Sequence, residues 1–253
     1  TPAARAFMLR DLTGPVAVVG SQRSSDRPSS DAASNLLCGA RVATADFGEV
    51  VAVMHAESSD TYDWIHRGTK VRKMHSSRRD AFRSMNATPL GSVRPEGPVE
   101  LTEPVQPRAK GPTKVDDKLD VDVALLHFYP GMKPGVLENC VREAHGVVLA
   151  GTGLGHTAHD LIPVIHRATR DGIPVVMTTQ TLQGRVSMRV YDTGRDLIKA
   201  GVISGEDLLP EVAYVKLMWV LGHTRDLAGV AKAMSTSVAG ELNPRIGLDE
   251  FSD

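Results

Sequence analysis

Five short apolar runs punctuate the chain, at residues 15–20 (PVAVVG), 48–55 (GEVVAVMH), 121–127 (VDVALLH), 146–150 (GVVLA) and 173–178 (IPVVMT). Runs of this length, rich in β-branched residues, are the pattern of strands buried on both faces of a parallel sheet. Stretches with helical spacing lie beside them. Thr1 can cap a first helix with Pro2 at its first position, and Ala3, Ala6, Phe7 and Leu9 then form its apolar face before residues 11–14 end it. Ser30 or Asp31 opens a second helix whose apolar positions are Leu36, Leu37, Ala40 and Val42. Residues 134–144, 157–170, 205–221 and 226–234 read as further helices, the third carrying Leu208, Val212, Val215, Leu217 and Leu221. Strand and helix alternate in both halves. That rhythm predicts the α/β class, as two doubly wound, Rossmann-like domains with mainly parallel sheets.

The middle of the chain breaks the rhythm. Residues 62–77 alternate charged and apolar positions and are rich in Lys, Arg and His. Residues 92–120 carry Pro95, Pro98, Pro104, Pro107 and Pro112, with Gly97 and Gly111 among them. Such a stretch reads as a linker or an extended hairpin region. The expected division is therefore a first domain at 1–95, a linker at 96–120 and a second domain at 121–253.

Composition narrows the picture. A chain of 253 residues can bury a core without disulfides or metals. Thirty acidic against 29 basic residues give a net charge of −1, which excludes nucleic-acid binding by bulk charge but not by a local patch. No apolar run reaches the length of a membrane-spanning helix. Cys38 and Cys140 cannot make a disulfide framework, so a cytoplasmic location is expected. The chain opens on Thr1 without Met or a signal-peptide pattern, which predicts a processed or incomplete polypeptide.

Several motifs could carry chemistry. Gly151-Thr152-Gly153-Leu154-Gly155-His156 lies between a strand and a helix, where backbone groups can approach a ligand. Its glycine spacing is not that of a dinucleotide fingerprint, and Asp171 precedes the next strand instead of ending it. A ligand-presenting turn and a purely structural one fit equally. His156, His159 and His166 lack a converging carboxylate or thiolate, so no metal is predicted. Ser24-Ser25-Asp26 and Ser29-Ser30-Asp31 fit helix capping, with ligand binding at a strand's carboxyl end as the other possibility. Within Lys70-Val71-Arg72-Lys73-Met74-His75, a solvated basic face and a lysine that activates a hydroxyl both fit. Thr1 as an N-terminal nucleophile would need a strand where the sequence reads as helix.

The string Val18-Val19-Gly20-Ser21-Gln22-Arg23-Ser24-Ser25-Asp26-Arg27-Pro28-Ser29-Ser30-Asp31 resembles the asparaginase/glutaminase family. Four further segments agree in order: Lys73-Met74-His75-Ser76-Ser77 with Asp80-Ala81-Phe82, then Pro89-Leu90-Gly91, the glycine turn 151–156, and Thr178-Thr179-Gln180-Thr181 running into Val190 to Asp196. The resemblance covers nearly the whole chain. It is strongest to the branch that forms the glutaminase subunit of a tRNA-dependent amidotransferase.

That resemblance implies two α/β domains with a hydrolytic site at the carboxyl ends of the first domain's strands, often completed by another protomer. In the family a threonine hydroxyl attacks the glutamine amide, helped by a second threonine, an aspartate and a lysine, and ammonia leaves. Of these four, only the lysine maps here, as Lys73. Ser21 and Gln22 become candidates for holding the amide, and Thr152 for a contribution across a homodimer interface. In the tRNA-linked branch a partner subunit uses ATP and magnesium to convert Glu-tRNA(Gln) to Gln-tRNA(Gln), so tRNA binding falls mainly to the partner. The chain itself is then expected to need no cofactor or metal and to touch no membrane. Without the threonines, it is expected to be inactive alone. A free-standing cytoplasmic L-asparaginase and a non-catalytic subunit retaining the fold are the alternatives.

Overall fold

The computed structural model describes residues 1–247. The chain divides into two compact units, one spanning Thr1–Asp116 and the other Asp117–Arg245.

In the first unit, α1 (Pro2–Met8) starts as the sequence predicts. The Thr1 side chain accepts from the Ala4 N–H, Pro2 takes the first position, and Ala3 and Phe7 are buried. The strands are β1 (Leu9–Arg10), β2 (Val16–Val18), β3 (Val50–His55), β4 (Asp63–Arg67), β5 (Val71–Lys73), β6 (Phe82–Ser84), β7 (Gly91–Val93), β8 (Val99–Leu101) and β9 (Lys114–Val115), with α2 (Ala32–Ala43) between β2 and β3. Five of them form a sheet in the order β2-β3-β4-β7-β8. Only β2 and β3 run parallel; β3–β4, β4–β7 and β7–β8 are antiparallel. The α/β class holds, while the expectation of a mainly parallel sheet fails for this unit. The reason is connection length: residues 56–62 are too few for the crossover that a parallel return needs. Every residue of β3 is buried, as its apolar run predicts, but β2 lies at the sheet edge and is only half-buried. β5 and β6 form a separate hairpin.

Two further corrections concern the helix and the linker. The face that α2 turns inward is Asn35, Cys38, Gly39 and Val42, while Leu36, Leu37 and Ala40 are exposed. A polar residue and a glycine on the inner face hide it from a hydropathy reading. Gly39 lets the helix approach β2 closely, since a Cβ there would stand 2.4 Å from Val19 Cγ1 and push that side chain aside. The proline-rich stretch, read as a linker or an extended hairpin region, supplies the second strand of the β7–β8 hairpin and a further strand, β9, of the first unit. There β8 is the edge of the sheet and β9 pairs antiparallel with β1.

The second unit follows the expected plan closely. Its elements are β10 (Val123–His127), α3 (Pro134–Glu143), β11 (Gly146–Gly151), a 3-10 turn His159–Leu161 leading into α4 (Ile162–Arg170), β12 (Val175–Thr179), α5 (Asp192–Lys199), β13 (Ile203–Ser204), α6 (Pro210–Leu221) and α7 (Leu227–Met234). The sheet β10-β11-β12-β13 is parallel throughout. Alternate residues of β11 point to opposite faces. Val147 and Leu149 pack with Leu137, Ile165 and Leu197, whereas a Cβ at Gly146 would meet Leu217 and Leu221 of α6. Helices thus cover both faces, which is why this sheet reads as continuous apolar runs. Among the described residues no helix is long and apolar enough to cross a membrane.

Candidate active site

At the carboxyl end of β2 the chain enters a polar loop, residues 20–31. Ser21 is exposed and Gln22 half-buried. Asp31 organises this loop. It stands at the N-cap position of α2, yet its side chain makes no cap bond to the helix. Its carboxylate turns back to accept the N–H groups of Gln22 and Arg23, each at 3.0 Å, and Asn35 Nδ2 at 3.0 Å. The role that the sequence suggests for Asp31, a helix cap, is filled by Ser30, whose hydroxyl accepts the Ala32 N–H at 3.2 Å. Burial would raise the Asp31 pKa, but the hydrogen bonds from Gln22 and Arg23 outweigh it and hold the carboxyl below its ordinary value.

Beneath the loop lies a group that the sequence did not single out. His55, the last residue of β3, is wholly enclosed. Its Nδ1 is 2.5 Å from Asn35 Oδ1 and 3.0 Å from Asp63 Oδ1, and its Nε2 is 2.9 Å from Asp60 Oδ1. Asp60 also accepts Arg79 Nη1 at 2.7 Å, and Arg79 Nη2 donates to Ser29 O. The β5–β6 turn is thereby tied to the far side of the loop that starts at Ser21. These residues were hidden because each looks ordinary in sequence. The available signal was polarity at inward positions, His55 ending an apolar run and Asn35 on the inner face of a helix.

An open cleft of about 590 Å³ lies between the same segments, lined by Arg23 and Ser29, by Ser58, and by Ser77, Arg78, Arg79 and Asp80. The Asp80 carboxyl is held at about 2, chiefly by its hydrogen bond from Arg78, against the effect of burial. Arg78 binds it twice, at 2.8 and 2.7 Å, and Arg83 adds a contact at 2.9 Å.

Lys73 ends β5 opposite Phe82 and is exposed. No described residue gives its ammonium group a hydrogen-bond or ion-pair partner, and no described contact joins it to Ser21 or Gln22. Thr152 belongs to the second unit, exposed at the carboxyl end of β11. Its backbone is bridged to His156, with the Thr152 N–H donating to His156 O at 2.9 Å. The glycines around it have steric reasons: a Cβ at Gly151 would meet His156 O at 2.7 Å, and Gly153 and Gly155 have φ of +51° and +94°.

Among the described residues, one group has metal-ligand proximity. Asp120, Asp122 and His145 offer atoms within 4.8 Å of one another. Arg225 Nη2 stands 2.5 Å from Asp120 Oδ2 and supplies the positive charge there, so the group is an ion-pair cluster.

Comparison with known proteins places the chain. Residues 1–106 match the family described as Asparaginase, N-terminal, and residues 122–234 match the Glutaminase/Asparaginase C-terminal domain. The chain belongs to the asparaginase/glutaminase family, as the motifs implied. Within it, the chain is 56% identical over 253 residues to the D subunit of the glutamyl-tRNA(Gln) amidotransferase of Thermococcus kodakarensis, covering 99% of this chain and 58% of that protein. The corresponding D subunit of Saccharolobus islandicus is 53% identical, with 57% of its length covered. The chain thus spans somewhat over half the length of these relatives. Among solved structures, the thermostable L-asparaginase from Thermococcus kodakarensis superposes with a TM-score of 0.89 at 34% identity, over 96% of this chain and 72% of that one. L-asparaginase I from Vibrio cholerae gives 0.82 at 30%, again over 96% and 72%.

Proposed function

We propose that this chain is the asparaginase-like part of the glutaminase subunit of a tRNA-dependent amidotransferase. It takes part in releasing ammonia from glutamine, and a partner subunit uses that ammonia, with ATP and magnesium, to make Gln-tRNA(Gln) from Glu-tRNA(Gln). One observation carries this reading. The amidotransferase D subunit of Thermococcus kodakarensis is 56% identical to this chain, whereas the L-asparaginase of the same organism is 34% identical.

The local structure supports specific roles. Asp31 already takes the backbone N–H groups of Gln22 and Arg23, so this loop offers a ligand the Ser21 hydroxyl and the Gln22 side chain. These hold the glutamine amide. A hydroxyl nucleophile adds to the amide carbon, its proton passes through the Lys73 amine to the departing nitrogen, and ammonia leaves. Water then releases glutamate from the acyl intermediate. The ammonium that Lys73 becomes on taking that proton stabilises the negative charge developing on the oxygens until it hands the proton to the departing nitrogen. Thr152 reaches the site of a second protomer in a homodimer.

The test uses protein expressed from its full reading frame and follows ammonia release from glutamine and from asparagine. Glutamine turnover is expected, and Lys73→Ala should lower kcat by about a hundredfold to ten-thousandfold. The fold should be unchanged by circular dichroism, since the side chain is exposed. Turnover of asparagine alone would replace the proposal with an asparaginase. Ammonia from neither substrate would replace it with a non-catalytic subunit.

A further inference from the structure

The buried polar groups beneath the Ser21–Gln22 loop form one connected chain whose hydrogen positions can be assigned. Asn35 Nδ2 is 2.7 Å from Gly20 O and 3.0 Å from Asp31 Oδ2. Both neighbours are acceptors, so this end of the side chain is the NH₂ group, and Oδ1 is the atom that faces His55. His55 Nδ1 therefore meets two acceptors, Asn35 Oδ1 and Asp63 Oδ1. His55 Nε2 meets a third, Asp60 Oδ1. A neutral imidazole donates from one nitrogen only, and this ring is sealed from water. Both nitrogens must carry protons.

The surrounding charges demand the same state. From α2 and its N-cap the ring faces Asn35 and Asp31; from the segment after β3 it faces Asp60; from β4 it faces Asp63. Arg79 neutralises part of Asp60. Asp63 is fully enclosed, and among the described residues neither of its oxygens has a well-directed donor. The adjacent Cys38 thiol is pushed up to about 12 by burial and by Asp63, so it stays neutral beside that carboxylate. A positive ring is what makes the buried Asp63 tolerable.

We propose that His55 is a locked imidazolium and the positioning residue of the Gly20–Arg23 segment: it orients the Asn35 amide, Asn35 fixes Gly20 O and the Asp31 carboxylate, and Asp31 fixes the main chain of Gln22 and Arg23. The functional half rests on the reading that this loop holds glutamine. Burial is the largest single influence on the ring and opposes its charge, but the Asp63 carboxylate 3.0 Å away, the hydrogen bond to Asp60 and the field of Asp31 outweigh it, so the ring titrates above its ordinary value. With a raised folded-state pKa, the contribution is complete below the unfolded histidine value. It is lost as pH rises through the folded one.

The experiment uses protein from its full reading frame with ¹⁵N-labelled histidine. At neutral pH, NMR should show both His55 ring nitrogens protonated, and the amides of Gln22 and Arg23 should be protected from hydrogen exchange. A neutral ring tautomer overturns the proposal whatever the enzyme assay gives. His55→Gln should speed exchange at those two amides and raise the glutamine KM by about tenfold while changing kcat by less than about threefold, the signature of a lost orienting hydrogen bond. Adding Asp63→Asn removes the unpaired buried carboxylate, so thermal stability should recover while KM stays raised. A return of KM to its original value would show that charge burial and not positioning was at work, and would overturn the proposal. If the unsubstituted protein turns over no glutamine, the glutaminase reading fails, while the ring charge and the exchange rates still decide the role of His55.

Discussion

Lys216 sits in the middle of a mostly apolar helix, fully enclosed, with Nζ 3.0 Å from Met234 O, 2.8 Å from Thr236 O and 2.7 Å from Glu241 Oε1. Glu241 is equally buried and accepts the N–H groups of Val238 and Ala239. The pair clamps the segment after α7 onto α6. Burial lowers the Lys216 pKa, opposed by Glu241 and Asp207. Lys216→Met should cost about 3–5 kcal/mol in urea denaturation, because it strands a buried carboxylate. Adding Glu241→Gln should recover part of the loss, and an unchanged midpoint for the single variant would refute the clamp. At this scale the sequence was legible only through motifs. Ser21, Gln22, Lys73 and Thr152 were reached by resemblance, whereas Asp31's inward turn and the set of Asn35, His55 and Asp63 exist only as distances. A buried ion pair has no sequence period, so no pattern announces it.

Secondary elements were read well wherever packing made their hydropathy uniform. The apolar runs of β3, β11 and β12 are buried along their whole length. Short strands at edges and in hairpins, β5 to β9 among them, carry no such signal. Helix α5 was missed because Gly194 and its charged neighbours mask its one buried stripe. Glycines separate two kinds of element contact. At Gly91, opposite Leu101 in β8, an added Cβ would lie 2.0 Å from Glu100 O and 2.8 Å from Leu101 Cα, both backbone. At Gly146 it would lie 2.8 Å from Leu221 Cδ1, a side-chain end. Gly91→Ala should therefore cost about 3 kcal/mol and Gly146→Ala about 1 kcal/mol in chemical denaturation. Equal losses would show that the β7–β8 pairing gives way as readily as a leucine rotamer.

For the whole molecule, the expectation concerns activity. The 253-residue polypeptide by itself presents an exposed Lys73 amine to which no described residue brings a hydroxyl or carboxylate. It is expected to release no ammonia from glutamine in a coupled glutamate assay. Turnover that Lys73→Ala abolishes would sink that expectation. At this scale the sequence by itself determined the α/β class and the family, because strand and helix periods and the Ser21–Gln22, Lys73 and 151–156 motifs are local properties of the chain. The tertiary structure alone decided the rest. It showed that the proline-rich stretch completes the first unit and that the first sheet is mostly antiparallel. It also showed that His55 stands among Asn35, Asp60 and Asp63. Pairing direction, burial of a polar group and the charge on an imidazole are set by neighbours distant in sequence, and no local pattern encodes which neighbours those are.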